Sequence, residues 1–222
     1  VGMRVGSDIP LKGFSADGDV TSTSSSLGFV GGASFQGLFS TWGFRVDPQV
    51  RTGGGSAEYA NSIVEGSLQY TSTGTMQTSA TFVDVPVLVV FQPRDTANVI
   101  TPFFGVGGMM SLVANTTTTV NGSTNVRDLS TGSETAVSNG QQSTFSGLSD
   151  PGVALVFMGG VRIPMSESWD VRADVRVHQF LTENDLASYS LYLPASYRTI
   201  VGVSTNAAST TLGVSVGVFM KL

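Results

Sequence analysis

Cysteine is missing from this chain altogether, so neither a disulfide nor a thiolate metal site can contribute to its fold. Charge is nearly as scarce. Asp, Glu, Lys and Arg make up 12% of the residues, against roughly 25% in soluble globular domains. Mean hydropathy is nevertheless positive, at +0.18, and no apolar run approaches the ~20 residues a transmembrane helix needs. The longest, Val85 to Phe91, is strand-sized and interrupted by Pro86. Low charge without a spanning helix leaves a very stable secreted β protein or a transmembrane β-barrel. The chain opens on Val1 with no initiator methionine, as expected where an export signal has been removed. A second histidine is lacking too, which leaves His178 without the partners a histidine metal site needs. The net charge of −5 argues against nucleic acid as a partner.

What is abundant points to strands. There are 27 Gly in 222 residues, with many Ser and Thr, a composition that disfavours helices. Trp169 to Phe180 shows the period most clearly. Trp169, Val171, Ala173, Val175 and Val177 share one face of an extended strand, and Asp170, Arg172, Asp174, Arg176 and His178 share the other. Similar alternation marks 1–6, 27–38, 44–51, 80–91, 100–114, 153–163 and 211–222. Short turns are expected around Thr41, Asp95 and Ser166. Long polar loops are expected at about 7–25, 53–78, 115–150 and 182–209, the second including strand extensions and the third the least ordered. Alternating long and short connections predict a single all-β domain over 1–222, an eight-stranded antiparallel up-and-down transmembrane β-barrel. Termini and short turns would be periplasmic and the long loops extracellular, in a bacterial outer membrane.

The mixed face decides which way the barrel is turned. On several strands it is Gly and Ser, as at Gly2, Gly28, Gly105, Ser215 and Gly217; on others it carries Arg45, Asp47, Arg51 and the Asp/Arg series of 170–176. Small residues on one wall leave room for long charged side chains crossing from the other, which suits the narrow interior of eight strands. The alternative, a soluble lipocalin-like barrel, would need a solvent surface dense in Lys and Glu. Trp42 and Trp169, with Phe39, Phe44 and Phe91, flank the short turns as a membrane-interface girdle. Tyr70, Phe82, Phe180, Tyr189 and Tyr192 are candidates for the opposite girdle. Pro48 and Pro86 each remove a ladder donor, so a bulge or a missing hydrogen bond is expected at each.

These patterns carry a resemblance. Phe44-Arg-Val-Asp-Pro-Gln-Val, Phe82-Val-Asp-Val-Pro-Val-Leu, Thr101-Pro-Phe-Phe-Gly-Val-Gly-Gly, Gly159-Gly-Val-Arg-Ile-Pro and the stretch Leu212 to Leu222 resemble eight-stranded outer-membrane β-barrel families, PorT-type and OmpA-like. The likeness covers most strands and none of the loops. It implies a surface protein or a subunit of a larger envelope assembly, and it carries over no catalytic residue. Such families usually end in an aromatic residue; Leu222 departs from that.

The candidate site is the inward set Arg4, Arg45, Asp47, Arg51, Asp84, Arg162, Asp170, Arg172, Asp174, Arg176, His178 and Lys221. It reads either as a narrow, anion-leaning conduit or as a plug of Arg–Asp pairs. The plug is preferred, because eight strands leave little bore. Asp170 to Arg176 would meet Arg45, Asp47, Arg51 and Asp84. An enzyme would need His178 to act as base beside a nucleophile such as Ser188 or Ser190, in the way of lipid-A deacylases, and no motif supports it. Gly105-Val-Gly-Gly lies within a strand with no helix after it, so it is packing glycine and not a nucleotide turn. The sequons at Asn115 and Asn121 are commonplace in a Thr/Asn-rich stretch. The loops lean acidic, through Asp8, Asp17, Asp19, Glu58, Glu65, Asp128, Glu134, Asp150, Glu183 and Asp185 against Lys12, Arg127 and Arg198. That reads as a solvated face, a partner surface or a cation bridge to anionic lipid. Expected partners are outer-membrane lipid and lipopolysaccharide, with other envelope proteins at the long loops or barrel wall. No cofactor or metal is expected.

Overall fold

The computed structural model describes residues 1–12, 15–93, 99–146, 151–182, 185–192, 199–207 and 209–221. In chain order the strands begin β1 (Gly2–Lys12), β2 (Ser15–Gly18), β3 (Val20–Ser25), β4 (Gly28–Phe39), β5 (Trp42–Val46), β6 (Gln49–Glu65) and β7 (Leu68–Phe91). They continue with β8 (Thr101–Asp128), β9 (Glu134–Ser146), β10 (Gly152–Pro164), β11 (Trp169–Phe180), β12 (Asp185–Tyr192), β13 (Thr199–Asn206) and β14 (Thr210–Met220). Among the described residues there is no helix, and every pairing is antiparallel. Asp95, Asp150, Glu183, Arg198 and Leu222 lie outside the described residues, as do the side chains of Lys12, Asp17, Asp185, Ser188, Tyr189, Ser190 and Tyr192.

Eight staves close a barrel: β1, β4, β5 with β6, β7, β8, β10, β11 and β14. The circle is completed where β14 returns to β1, with Gly2 opposite Phe219 and Ile9 opposite Leu212. Closure matters because a sheet edge within a membrane would leave backbone groups unpaired in hydrocarbon. The third stave lapses at Asp47–Pro48, between β5 and β6, without changing register: Val46 faces Val87 and Gln49 faces Asp84. Pro86 lies opposite that lapse. The Asp47 N–H donates to the Pro86 carbonyl at 3.1 Å and the Ala33 N–H to the Pro48 carbonyl at 3.0 Å. Each proline has no N–H to return the bond, so one hydrogen bond is missing at each and the two gaps sit side by side.

Polarity is reversed relative to a soluble barrel. Met3, Phe29, Phe44, Val89, Phe104, Phe157, Val175 and Val216, from all eight staves, project outward and are exposed. Arginines and aspartates lie inside. An apolar outer band around a charged interior is the architecture of a transmembrane β-barrel.

The expected long loops are largely strand. β6 and β7 continue past the barrel to a tight hairpin at Gly66–Ser67, where Gly66 takes the left-handed φ of +62° that favours glycine. β8 is 28 residues long and returns as β9, against an expected loop at 115–150. β1 runs on to Lys12, β3 occupies part of 7–25, and β12 and β13 occupy much of 182–209. These runs lack apolar alternation but find continuous neighbours, and hydroxyls pair across them, as in Thr78–Thr118 at 3.3 Å and Thr124–Ser72 at 3.1 Å. At ~3.3 Å per residue, β8 covers about 90 Å of chain, far more than the ~30 Å hydrocarbon layer requires.

Above the barrel, therefore, stands an open sheet in the order β3-β6-β7-β8-β9. A bulge marks its start on β8: Thr81 pairs with Asn115 and Phe82 with Val113, so Ala114 is extra. The additional residue shifts the alternation by one and turns Thr116, Thr118 and Val120 inward. A second sheet, β12-β13-β2, packs against it, with Leu186 buried among Ala57, Tyr59, Met76 and Phe82.

Candidate functional site

The inward positions of eight staves converge on one ion-pair network in three levels. In the middle, Asp47 accepts from Arg45 Nε at 2.9 Å, Arg176 Nη2 at 2.5 Å and Arg4 Nη1 at 3.3 Å, and from the Ser34 hydroxyl. Asp174 accepts from Arg176 Nε and the Ser215 hydroxyl, both at 2.8 Å, and from Arg45 Nη2 at 3.4 Å. Three guanidinium groups thus share two carboxylates, with Arg45 and Asp47 both fully buried. At the level nearer the tall sheet, Arg51 Nε donates to Asp84 at 2.8 Å and lies 3.4 Å from Asp8, while the Ser111 hydroxyl donates to Asp84 at 2.6 Å. At the turn end, Asp170 accepts from Arg162 Nε at 2.7 Å and Arg172 Nε at 2.9 Å, and Arg172 also reaches Gln36.

Local sequence explains how long side chains fit. Arg172, Gly217, Arg4 and Gly32 lie in one row across neighbouring staves. A Cβ at Gly217 would come within 2.6 Å of the Met3 carbonyl and 2.9 Å of the Phe219 ring, so that position takes only glycine. The arginines occupy the space thus left. Their stems and planes cover apolar surface as well: Arg51 lies 4.1 Å from the Phe82 ring centroid, and Arg172 lies 4.1 Å from that of Phe219.

β5 and β11 are the third and seventh of eight staves, diametrically opposed across the bore. Arg45 of β5 reaches Asp174 of β11, and Arg176 of β11 reaches Asp47 at the end of β5. The pairs span the full width of the lumen. The remaining space on the β7, β8 and β10 side is filled by Leu88, Val90, Phe103, Met109, Val156 and Met158, and Arg45 Nη1 lies 3.7 Å from the Met158 sulfur. Among the described residues the buried charges number six arginines and five aspartates. An unpaired ion in such surroundings would carry a desolvation cost of several kcal/mol, so the near balance is what permits burial.

Arg4, Arg45, Asp47, Arg51, Asp84, Arg162, Asp170, Arg172, Asp174, Arg176 and His178 are all buried inside. Lys221 is not. It is exposed beyond the end of β14, where its Nζ donates to the Ser166 carbonyl at 3.4 Å, because the alternation no longer applies past Met220. Asp174 and Arg176 meet Arg45 and Asp47; Arg51 and Asp84 instead meet Asp8 and Ser111. Asp8, expected in an acidic loop, is a buried partner of Arg51 and Thr211. Phe82 and Phe180, expected in the outer girdle, point inward beside Arg51. Both share the parity of the charged face, which was the available signal. Tyr70 is half-buried and packs against the upper apolar cluster. Phe39, Trp42, Phe44 and Trp169 are exposed at the turn end, and the Trp42 and Phe91 rings pack 5.0 Å apart.

His178 is held at its Nδ1, 3.0 Å from the Thr211 hydroxyl and 3.7 Å from Asp8 Oδ1. Both neighbours lie on the same ring nitrogen. A proton relay needs nucleophile and carboxylate on opposite nitrogens, so this grouping is a hydrogen-bonded support and not a hydrolytic triad. Among the described residues, no cluster of His, Asp and Glu has metal-ligand geometry.

No protein-family model and no curated relative matches the sequence. Among solved structures, similarity extends to Ail, the attachment invasion locus protein of Yersinia pestis, at 10% identity over 97% of this chain and 96% of that one, with a TM-score of 0.30. Neisserial surface protein A is similar at 13% identity over 99% and 97%, with a TM-score of 0.32. The outer membrane protein OprG from Pseudomonas aeruginosa is similar at 10% identity over 99% and 96%, with a TM-score of 0.37. Superpositions this loose add nothing to the architecture, which rests on the closed ladder and the reversed polarity.

Proposed function

We propose that this chain is a non-enzymatic protein of the bacterial outer membrane, in which a filled barrel anchors a tall recognition sheet. Termini and short turns face the periplasm and the sheet faces outward. The observation that carries this reading is the pair of salt bridges joining opposite staves, Arg45–Asp174 and Arg176–Asp47. A lumen spanned twice by buried ion pairs is braced, and its occupants are the barrel's own side chains. The sheet above it, built from the longest strands in the chain, is then the surface available to a partner, whether lipopolysaccharide or another envelope protein. The strand motifs that resemble PorT-type and OmpA-like barrels fit a role of this kind, as a surface protein or a subunit of a larger envelope assembly.

Two measurements test the proposal. In planar bilayers the purified protein is expected to show no steady conductance; a persistent anion-selective current would overturn the filled-lumen reading in favour of a narrow channel. Cross-linking in native membranes is expected to capture partners through the sheet. Capture should disappear when residues 56–77 are replaced by a two-residue turn.

A further inference from the structure

β9 forms one border of the tall sheet, and among the described residues it pairs with β8 alone. Its ladder with β8 runs from Asn115–Ser146 to Arg127–Glu134 with no register shift. Glu134 to Ser138 are exposed on both faces of the strand, so nothing described covers this end. A long, regular, free edge is a template for another strand, and proteins normally blunt such edges with lysine, proline or a bulge. β9 has none of these; Glu134 is its one charged residue. The opposite border differs. β3 has 6 residues, and its ladder with β6 shifts register between Val20 and Ser22.

We propose that β9 pairs antiparallel with β9 of a second copy of this chain, centred on Gly140. This rests on the reading of the sheet as a recognition surface and names its occupant. Two observations favour a second copy. With Gly140 opposite Gly140, Glu134 falls opposite Ser146 and Ser138 opposite Gln142, so no like charges meet. The pairing is isologous and closes at two copies, whereas pairing β9 to β3 would propagate without end, and the bulge on β3 opposes that. Direction adds a consequence: β9 runs from the hairpin tip toward the barrel, so an antiparallel partner runs away from it. The second barrel therefore lies on the far side of the sheet, in a facing membrane. The interaction joins two membranes and does not cluster barrels within one.

The absence of cysteine makes the test clean. Antiparallel neighbours have Cα atoms ~4.5–5.5 Å apart, within disulfide range. Full-length Gly140→Cys, reconstituted sheet-outward into two vesicle populations with different fluorescent labels, should give oxidised dimers carrying both labels. Thr135→Cys, which falls opposite Phe145, should give none. Wild-type vesicles should cluster on mixing, and Val137→Pro should abolish clustering while the barrel still migrates as a folded species on unheated gels. Clustering that survives Val137→Pro, dimers drawn only from within one population, or neither clusters nor dimers would each overturn the proposal. Cross-links in native membranes to a different protein, with no self-pairing, would also overturn it while leaving the recognition role of the sheet in place.

Discussion

At the scale of single residues, the interior depends on carboxylates that hold more than one guanidinium. Asp174 contacts Arg45, Arg176 and Ser215. Asp174→Ala leaves three buried guanidinium groups, those of Arg4, Arg45 and Arg176, with the Asp47 carboxylate alone, a loss expected to cost ~3–5 kcal/mol. The measurement is the denaturant midpoint of unfolding from lipid vesicles, and an unchanged midpoint would mean the network does not brace the wall. Glu58 is the contrast, being exposed, with its carboxylate accepting from the Ser22 hydroxyl at 2.9 Å; Glu58→Gln should move stability by no more than ~0.5 kcal/mol. Residue by residue, the interior was legible wherever the period of two was followed to the end of the strand. Arg4 was found because β1 alternates through Gly6; two residues further the same period reaches Asp8. Phe82 and Phe180 were legible in the same way, through their parity with Asp84 and His178. Which charges pair was legible only in part: Asp174 and Arg176 meet Arg45 and Asp47 of the expected set, whereas Arg51 and Asp84 turn to each other and to Asp8 and Ser111.

At the scale of elements, the strands divide into a part in lipid and a part above it. Val216 on β14 and Val64 on β6 are equally exposed, at 49% and 51%. Val216 belongs to the apolar band, facing Val5 and Ala173 on either side, whereas Val64 lies near the hairpin tip. Val216→Arg is expected to cost ~2–4 kcal/mol, the penalty for a cation near the bilayer midplane. Val64→Arg should be close to neutral. Equilibrium folding into vesicles checks both, and equal costs would mean that the hairpin tip of β6 and β7 does not stand clear of the bilayer. The lower strands were legible because burial on one face writes alternation into the sequence. The upper part of β8 was not, and that of β7 was legible only as a strand extension within 53–78. Apart from Val120, Thr116 to Asn125 is polar on both faces, so it reads as loop until the pairing partners on each side are known.

At the scale of the whole molecule, barrel and sheet share strands but not the same source of stability. The barrel is held by lipid outside and ion pairs inside; the sheet is held by backbone ladders and the small cluster around Tyr59, Met76 and Phe82. Replacing residues 56–77 by a two-residue turn should therefore leave the barrel inserted, because all eight staves remain paired below the bulge at Ala114. Retention of the mobility difference between unheated and boiled protein on a denaturing gel reports that outcome. Its loss would show that the barrel needs the sheet to fold.

The amino-acid sequence by itself determined that this is an eight-stranded barrel turned inside out, because period-two alternation and the scarcity of charge are local properties that every strand displays. It determined, too, that arginines and aspartates face inward among glycines. Only the tertiary structure decided that the salt bridges cross the full bore, that Asp8 pairs with Arg51, and that the supposed loops rise as a sheet. Each of these depends on which strand lies beside or opposite which, and that is settled by closure of the ring and not by any one segment.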